Sequence, residues 1–394
     1  MKKVVLAYSG GLDTSCAVKW LGENHGLDVI CFSAFIGEVK EKAPLIKRAK
    51  AAGAIKTFIV DLKEEFAKDY IMPALWAHAR YEGKYPLATA LGRPLIAKHL
   101  VEVAQKEGAG YVAHGCTGKG NDQVRLEVGV RTLDPELKII APLRDWEFKT
   151  RDEEIEYALE REIPIDVTKK SPYSIDKNIW GIAIEAGILE DPMVEPPEAA
   201  YVMTCAPAKA PKKPRYIEIT FEKGVPVKLN GARMPLVDLI EKLNMIAGQY
   251  GVGRFDMIEN RLVGIKSREV YEAPAADVLL KAHEELEGFV MDREFLHYKR
   301  LLTEKYAELV YFGLWFSPLK RSLDAFFASN QARVTGKVRI KLDRGHAICV
   351  GRESKYALYK EKLATYSKGD MFDRKASAGF MKIWGLPYEG MYKN

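Results

Sequence analysis

The sequence predicts an α/β fold that opens with a doubly wound parallel sheet and continues into an α+β region and a final helix. Three observations predict it. Apolar, strand-like runs alternate with helical patterns over residues 1–165, glycine-rich loops follow two of these runs, and paired strand patterns appear only after a proline-rich stretch. A chain of 394 residues is longer than one typical core, so we expect two domains.

Composition narrows the class of protein and of partner. Apolar residues make up 47% and charged residues 29% of the chain, as in ordinary globular proteins, and the net charge is +6. The basic residues are spread along the chain, so we expect neither a nucleic-acid nor a membrane partner. The five cysteines are widely spaced and form no C-x-x-C pair, and the sequence shows no signal-peptide pattern and no membrane-spanning run. These features predict a cytoplasmic protein.

The first strand and the first helix meet at a Ser-Gly-Gly corner. Residues 4–7 predict a buried strand, and a helical pattern starts near Asp13. Gly10 and Gly11 allow a ligand to approach the main chain, while the helix start offers unpaired N–H groups and a partial positive charge. Three hydroxyl side chains belong to the corner: Ser9, Thr14 and Ser15. The corner predicts a phosphate site, with Asp13 placed to hold a metal ion or a cationic group; an ordinary strand–turn–helix corner is the alternative.

The alternation of strands and helices continues as far as residue 161. Further strands are predicted over residues 28–35, 57–60, 111–115 and 138–142, and helices over residues 41–52, 63–78, 93–106 and 151–161. In a parallel sheet of this kind, ligands bind beyond the carboxyl ends of the strands. The Ser-Gly-Gly corner lies at such an end, and so does the loop that follows residue 115.

This second loop, residues 115–125, is also rich in glycine. It is not a Walker loop, because Asn-Asp follows its spaced glycines. Four of its side chains suit a zwitterionic amino acid, since arginine forks onto a carboxylate and aspartate pairs with an ammonium group: Thr117, Asn121, Asp122 and Arg125. A polar loop with a salt bridge is the alternative. His114 is expected to end the strand rather than bind metal, and no metal site is predicted, since no second histidine or cysteine lies at ligand spacing.

Beyond residue 165 the alternation weakens. Turns are predicted over residues 171–176, and an extended, proline-rich segment over 192–214. Strand pairs are predicted over 216–221 with 225–229 and 337–342 with 347–350, a short apolar strand over 262–265, and helices over 236–250 and most of 279–331. Near the end an apolar stripe at helical spacing must pack on its own subunit or on a neighbouring one: Phe372, Ala376, Phe380, Ile383 and Trp384.

The Ser-Gly-Gly corner resembles the pyrophosphate loop of the N-type ATP pyrophosphatases, which cleave ATP between its α and β phosphates. Four further segments point to one family within this superfamily: residues 81–87, 114–125, 171–176 and 259–272. Together with residues 7–15 they resemble the argininosuccinate synthase family. The likeness runs from the first strand to Trp384-Gly385-Leu386-Pro387, and so covers nearly the whole chain.

The resemblance implies an enzyme of arginine biosynthesis that joins L-citrulline to L-aspartate while ATP is converted to AMP and pyrophosphate, with Mg²⁺ as cofactor. The ureido oxygen of citrulline would first take AMP, and the aspartate amine would then attack the citrulline-adenylate. The resemblance also implies a nucleotide-binding domain over residues 1–165 and a synthetase domain over 166–365. Residues 366–394 would form an oligomerisation helix and tail within a homotetramer.

The resemblance also implies roles for individual positions. ATP would be held by Ala7, Tyr8, Ser9, Gly10, Gly11, Leu12, Asp13, Thr14, Ser15 and Gly115. Aspartate would be held by Thr117, Asn121 and Asp122, and citrulline by Tyr85, Asn121, Arg125, Ser174, Ala183, Glu259 and Tyr271. The catalytic roles would fall to Asp13, Asp122 and Arg125, with Asp122 placed between the two amino acids to orient the attacking amine.

Three segments depart from the commoner family pattern. Ala90 lies in Ala-Thr-Ala-Leu-Gly, where many members have Gly-Thr-Ser-Leu-Ala, and Ala183 replaces a further serine of the citrulline site. Without the two serine hydroxyl groups, up to two hydrogen bonds of about 1 kcal/mol each are lost. The sequence therefore does not fix the affinity for citrulline. The second strand ends Ala34-Phe35-Ile36-Gly37-Glu38, where many family members have Ala-Asp-Ile-Gly-Gln. The sequence therefore does not decide whether Ala34 contacts the adenine.

Two other functions fit a nucleotide-binding fold. An RNA-modifying enzyme that adenylates or thiolates a base would need a basic appended domain or paired catalytic cysteines, and the sequence has neither pattern. A nucleotide-binding sensor without catalysis would need neither the amino-acid loop at residues 117–125 nor the polar cluster over residues 259–271.

Overall fold

The first part of the chain folds around a parallel sheet, as the sequence predicts. The computed structural model describes residues 2–37, 41–164 and 173–392. The strands of the sheet are β1 (Lys2–Ala7), β2 (Leu27–Phe35), β3 (Lys56–Asp61), β4 (Tyr111–His114) and β5 (Lys138–Ile140). All neighbours are parallel, in the order β3-β2-β1-β4-β5. The order reverses between β1 and β4, so a crevice opens beyond their carboxyl ends.

Helices flank this sheet and bury both of its faces. They are α1 (Leu12–His25), α2 (Lys42–Ala51), α3 (Lys63–Glu65), α4 (Met72–Trp76), α5 (Ala88–Glu107), α6 (Asn121–Leu133), α7 (Pro142–Asp145) and α8 (Arg151–Glu160). A π-helix, Phe66–Ile71, joins α3 to α4, so the helix predicted over residues 63–78 has wider turns in its middle and ends at Trp76. Alternate residues of β1 enter opposite cores, as Val4 and Val5 illustrate.

The start of α5 differs from the predicted residue 93, and Tyr85 explains the difference. The Tyr85 hydroxyl accepts the backbone N–H groups of Thr89 and Ala90, at 2.9 and 3.4 Å, and so caps the helix from outside it. Leu87, which precedes the helix, has a left-handed φ of +64°. Sequence patterns look for a serine, threonine, aspartate or asparagine beside the first turn, and they do not reveal a cap supplied by a tyrosine.

The second part contains two antiparallel sheets. Its strands are β6 (Ser174–Asn178), β7 (Gly181–Glu185), β8 (Arg215–Glu222), β9 (Val225–Leu229), β10 (Ala232–Arg233), β11 (Arg254–Asn260), β12 (Lys266–Glu272), β13 (Gly336–Asp343) and β14 (His346–Glu353). One sheet has the order β11-β12-β7-β6 and the other the order β10-β9-β8-β13-β14. Both predicted strand pairs are confirmed, β8 with β9 and β13 with β14.

The second part also contains several helices, of which the last is exposed. They are α9 (Leu236–Gly248), α10 (Pro274–Val290), α11 (Arg293–Tyr311), α12 (Pro318–Ser329), α13 (Glu361–Ala364) and α14 (Arg374–Gly385). One hydrophobic core runs from the parallel sheet into this second part, since it includes Val5 and Ile30 as well as Ile217 and Ile340. None of the helices in the described ranges combines the length and the apolarity that crossing a bilayer requires.

The short apolar strand predicted over residues 262–265 is wrong, because these residues form the turn between β11 and β12. Val263 and Ile265 are exposed, and Gly264 has a φ of +88°. The strands are instead the polar segments on either side, whose Glu259 and Glu269 are buried. Glu259 accepts hydrogen bonds from Tyr271 and Tyr311, and Glu269 accepts them from Arg261 and Ser267. A local polarity pattern does not reveal which polar side chains are paired in this way.

The turns predicted over residues 171–176 fall partly on β6, which pairs with β7 from Ser174 onward. Residues 171 and 172 lie outside the described residues, as do the predicted domain boundary at 165 and 166 and position 38 at the end of the second strand. The proline-rich segment 192–214 contains short 3₁₀ turns at Glu198–Ala200 and Pro207–Lys209.

The end of β2 is joined directly to the β6–β7 hairpin. The N–H of Ile179 donates to the carbonyl of Ile36 at 2.9 Å. Gly37 lies so close to the hairpin that a Cβ there would be 2.9 Å from the Cα of Asn178. Asn178 also donates from Nδ2 to the carbonyl of Ala88, at 2.7 Å, where α5 begins. These contacts bring the β6 end of the second part to the crevice of the parallel sheet.

Helix α14 carries the apolar stripe and lies on the surface of the chain. None of its residues is buried, and Phe380, Ile383 and Trp384 are exposed by 62, 70 and 65%. Of the two alternatives for the stripe, packing on its own subunit is therefore not what the structure shows.

Candidate active site

The Ser-Gly-Gly corner follows β1 and opens into the crevice beyond it. Gly10 has a φ of +77°, and a side chain there would collide with Leu45 of α2, so both the backbone and the space require glycine. Helix α1 begins after Gly11, which has no side chain to bond the N–H groups of the first turn. These groups, with the positive end of the helix dipole, form a site suited to phosphate.

The three hydroxyl groups of the corner have different surroundings. Ser9 Oγ lies 3.0 Å from Thr14 Oγ1 and accepts the N–H of Gly11 at 3.2 Å. Ser15 is fully buried, and its Oγ lies 3.2 Å from the buried hydroxyl of Tyr8. Ser9 and Thr14 therefore line the crevice, whereas Ser15 supports the corner from beneath.

The crevice contains a cavity of about 330 Å³. Its walls include the end of β1, Ala34 at the end of β2, Arg93 of α5 and Gly115 after β4. A Cβ on Gly115 would lie 2.9 Å from the methyl group of Thr14, so the two loops meet only because this residue is glycine. Apolar walls beside an anion-binding corner suit a nucleotide, with its base in the cavity and its phosphates at the corner.

Asp13 lies in the first turn of α1 and faces Glu154 of α8. Burial, and next the Asp13 carboxylate, raise the pKa of Glu154 to about 8. Within the described residues, Glu154 Oε2 is buried and has no hydrogen-bond partner. Two neighbouring carboxyl groups provide oxygen ligands for a cation.

Asp122 lies in the first turn of α6 between two arginines. Its Oδ2 accepts Arg93 Nη2 at 2.6 Å, and its Oδ1 accepts Arg125 Nη1 at 2.9 Å. Arg93 also donates to Asp176 of β6, which lines the cavity. Burial acts to raise the pKa of Asp122, but the two guanidinium groups hold it well below its usual value. The carboxyl group is therefore ionised throughout the physiological pH range.

Arg125 has one unused donor in a buried position. Its Nε donates to the carbonyl of Tyr311 at 2.8 Å, and its guanidinium carbon lies 4.6 Å from the centre of the Tyr311 ring. In the part of the chain that the structure describes, Arg125 Nη2 is buried without a hydrogen-bond partner. Such a donor costs free energy unless a ligand pairs with it, and a carboxylate is the natural partner of a guanidinium group.

Three tyrosines surround the buried Glu259 of β11. Tyr271 donates its hydroxyl to Glu259 Oε2 at 2.6 Å, and Tyr311 donates to Glu259 Oε1. Tyr85 stacks on Tyr271, with the ring centres 4.0 Å apart. Burial raises the pKa of Glu259, and the two hydroxyl groups offset this effect only in part. An ammonium group of a ligand would stabilise this carboxylate.

Asn121 joins these groups to the turn between β11 and β12. Its Nδ2 donates to the Tyr311 hydroxyl at 2.8 Å, and its Oδ1 accepts the N–H of Leu262 at 2.9 Å. Through Tyr311 the structure thus connects five of the residues predicted for the two amino acids: Asn121, Asp122, Arg125, Glu259 and Tyr271.

The remaining predicted positions lie at the edges of this group. Ala183 of β7 pairs across the sheet with Tyr271 of β12. Ala90 is buried in the first turn of α5, where Tyr85 caps the helix. Thr117 and Ser174 are exposed, the first in the loop before α6 and the second at the start of β6.

Sequence reasoning did not select Arg93, Tyr311 or Glu154. Tyr311 ends α11 and lies 190 positions after Asn121, so no local spacing links the two residues. Glu154 belongs to a charged helix whose pattern resembles a solvated surface. Arg93 lies 29 positions before Asp122, on a different helix, so no local spacing links these two residues either.

Comparisons with known proteins agree with these expectations. The chain matches the model of the arginosuccinate synthase N-terminal HUP domain over residues 3–164 and that of the arginosuccinate synthase C-terminal domain over residues 173–391. It is 60% identical over 385 residues to the argininosuccinate synthase of Dictyoglomus turgidum, and the aligned region covers 98% of this chain and 96% of the relative. It is 57% identical over 386 residues to that of Bacillus subtilis, covering 98% of this chain and 95% of the relative.

Proposed function

We infer the reaction of this chain from its family: the chain belongs to the argininosuccinate synthases, and it is a ligase that joins citrulline to aspartate at the expense of ATP. The ureido carbon of citrulline is a poor electrophile because its oxygen leaves badly. Transfer of AMP to this oxygen releases pyrophosphate and creates a good leaving group. The aspartate amine then forms the new C–N bond while AMP departs with the former ureido oxygen.

We propose that the Ser-Gly-Gly corner holds the phosphates of ATP and that the cavity of about 330 Å³ holds its adenosine. The N–H groups at the start of α1 and the hydroxyl groups of Ser9 and Thr14 would bind the phosphates that leave as pyrophosphate. Gly115 would allow the α-phosphate to approach the second loop. No covalent bond to the enzyme is needed, so positioning and charge stabilisation would carry the catalysis.

The residues at the corner fit the Mg²⁺ ion that the family implies. Mg²⁺ prefers oxygen ligands and usually takes one or two carboxylates together with phosphate oxygens. Asp13 would hold the ion, with the unpaired carboxyl oxygen of Glu154 behind it. When bound, the ion would supply the positive charge that the departing pyrophosphate needs.

Citrulline would bind between Arg125 and Glu259. The unpaired Nη2 of Arg125 would take the α-carboxylate, and Glu259 would take the α-ammonium group. Tyr85, Asn121, Ser174 and Tyr271 would complete the site, with Ala183 beside Tyr271 where many relatives have serine. The ureido end would then point towards the nucleotide.

Aspartate would bind at Thr117, Asn121 and Asp122, with its amine at the Asp122 carboxylate. The depressed pKa of Asp122 makes it a weak base, so its role would be to accept a hydrogen bond from the amine and orient it. Arg93 would position Asp122 from the nucleotide side of the site, because it contacts both Asp122 and the cavity wall.

The observation that best supports these roles is the unpaired, buried Nη2 of Arg125 beside the ionised Asp122. The test is an assay of pyrophosphate release by the purified chain with ATP, Mg²⁺, citrulline and aspartate. Release is expected only with both amino acids present, and argininosuccinate should form in equal amount. Release that depends on RNA would support an RNA-modifying enzyme, and ATP binding without release would support a sensor.

We propose that the chain works as a cytoplasmic homotetramer. The exposed apolar face of α14 supports an interface between subunits, because such a face is costly in water. The five cysteines form no disulfide, which fits a reducing compartment. Replacing Trp384 with glutamate should reduce the molar mass measured by light scattering to that of a smaller assembly. An unchanged mass would remove α14 from the interface.

A further inference from the structure

A second cluster of buried, potentially ligating side chains lies where residue 78 meets α10 and α11. It consists of His78, His283 and Glu287, whose nearest ligand atoms all lie within 4.8 Å of one another. His78 Nε2 is 2.8 Å from His283 Nδ1 and 3.5 Å from Glu287 Oε2. His283 and Glu287 are 0 and 1% exposed. The cluster shares no residue with the nucleotide cavity.

The contact with Gln331 places the lone pair of His283 on the ring nitrogen that faces the cluster. Gln331 donates from Nε2 to the carbonyl of Phe327 at 2.9 Å, which turns its Oε1 towards His283 Nε2 at 3.0 Å. The proton of neutral His283 therefore lies on Nε2, and Nδ1 presents a lone pair to the cluster. An outer hydrogen bond that fixes the tautomer in this way is typical of histidines that bind metal.

The same arrangement can form at His78. Its Nε2 now donates to His283 Nδ1, since only one of the two nitrogens can carry the hydrogen. Its Nδ1 lies 3.9 Å from Glu284 Oε1, so a small movement would let this nitrogen carry the proton instead. Nε2 of His78 would then be a second nitrogen ligand beside Nδ1 of His283.

A cation already occupies the cluster in the form of Lys299. Its Nζ contacts Glu287 Oε2 and lies 3.3 Å from His78 Nε2, although its side chain is only 3% exposed. The other carboxyl oxygen, Glu287 Oε1, is buried and lacks a hydrogen-bond partner among the described residues. The ammonium group thus balances the charge of Glu287 but leaves one of its oxygen atoms unpaired. A doubly charged ion would stabilise this buried carboxylate more fully.

Distances and access also fit an ion. Tetrahedral zinc bonds of about 2.0–2.1 Å place neighbouring ligand atoms roughly 3.3 Å apart. The gap of 3.5 Å between His78 and Glu287 is close to this value, the imidazole nitrogens must separate by about half an ångström, and the three ligand atoms must move in from a spread of up to 4.8 Å. A cavity of about 820 Å³ borders the cluster and is lined by His78, Glu287 and Lys299. It offers an entry path for the ion and space for the lysine side chain once displaced.

We propose that His78, His283 and Glu287 form a binding site for a divalent transition metal of the zinc class, which replaces the Lys299 ammonium group. Two imidazoles and one carboxylate suit Zn²⁺ and Co²⁺ but not Mg²⁺, which prefers oxygen ligands. Because the three ligands come from the segment after α4 and from α10, the ion would link the two parts of the chain.

The test is a titration of the full-length chain, first stripped of metal with a chelator and kept free of ATP. Isothermal calorimetry with ZnCl₂ should give one ion per chain, and Co²⁺ should produce the visible absorption of a tetrahedral site. His78→Asn should weaken Zn²⁺ binding by about 100-fold. Asparagine tolerates the left-handed φ of +52° at this position, so the variant should fold.

The matched control is His99→Gln. His99 is also a partly buried histidine between carboxylates, Glu65 and Glu102, but it has no second histidine beside it. Its loss should leave the Zn²⁺ affinity unchanged. Lys299→Met removes the competing charge and should tighten Zn²⁺ binding by about tenfold. Absence of stoichiometric binding, equal effects of the two histidine variants, or no gain in Lys299→Met would overturn the proposal.

Discussion

Removal of one hydroxyl group, in Tyr311→Phe, tests the link between the tyrosine group and citrulline binding. The Tyr311 hydroxyl donates to Glu259 Oε1 and accepts Asn121 Nδ2, while its ring stacks on Tyr81 at 3.5 Å. Phenylalanine keeps the stack and loses both hydrogen bonds. A hydrogen bond to a charged group contributes about 1.5–3 kcal/mol, which corresponds to about a 10- to 150-fold change in binding.

The effect should fall on citrulline and should depend on pH. Burial already raises the pKa of Glu259, and the Tyr311 hydroxyl is one of the groups that lower it, so Glu259 should have a higher pKa in the variant. The carboxylate that we assign to the citrulline ammonium then becomes protonated at a higher pH than in the native chain. The KM for citrulline should rise about 10- to 150-fold, and more steeply as the pH falls, while the KM for ATP stays within twofold.

Tyr306→Phe is the matched control for this experiment. Tyr306 lies on the same helix, α11, is fully buried, and donates its hydroxyl to Asp324 at 2.9 Å. It should lose similar stability, measured as the midpoint of thermal unfolding, with no change in the KM for citrulline. If both variants have native citrulline kinetics at every pH, the role assigned to Glu259 is refuted.

Three further predictions concern the other groups of the site. Asp122→Asn should reduce argininosuccinate formation by more than about 100-fold while ATP still binds in a filter or fluorescence assay; near-normal turnover would contradict its orienting role. Ala183→Ser should lower the KM for citrulline by about fivefold, which is the worth of one neutral hydrogen bond, and an unchanged KM would show that the hydroxyl finds no partner. Gly10→Ala should raise the KM for ATP by at least about tenfold, whereas Gly26→Ala, which has a similar positive φ in open space, should only lower the stability by about 1 kcal/mol.

The fold was predictable wherever its cause is local. The apolar runs of β1, β2 and β4 and the helices that follow β1 and β2 appear where the sequence predicts them, because alternation and periodicity are properties of neighbouring residues. The helix α6 after β4 was not predicted. The helix cap by Tyr85 and the inverted pattern of β11 and β12 were missed because hydrogen bonds, rather than apolar periodicity, determine them. Tyr85 caps α5 from just before the helix, and Glu259 is satisfied by Tyr271 on the paired strand and by Tyr311 of α11.

The same distinction applies to the candidate site. The glycine corner and the Asp122–Arg125 pair could be predicted because each lies within one short segment. The roles of Tyr311, Arg93 and Glu154 became visible only in three dimensions, and so did the His78–His283 pair, whose members are 205 positions apart. No spacing rule reaches across such distances, since tertiary packing alone creates these contacts.

The hydrogen bond between Ile179 and Ile36 has a consequence for the two halves of the chain as separate polypeptides. The hairpin that carries Asp176 closes one wall of the nucleotide cavity, and the same hairpin holds the end of β2 and the start of α5. A fragment that stops before residue 173 would keep the glycine corner yet lose this wall and its anchor. Gene fusions that exchange the first half for that of another nucleotide-binding protein would therefore need to carry the hairpin along with it.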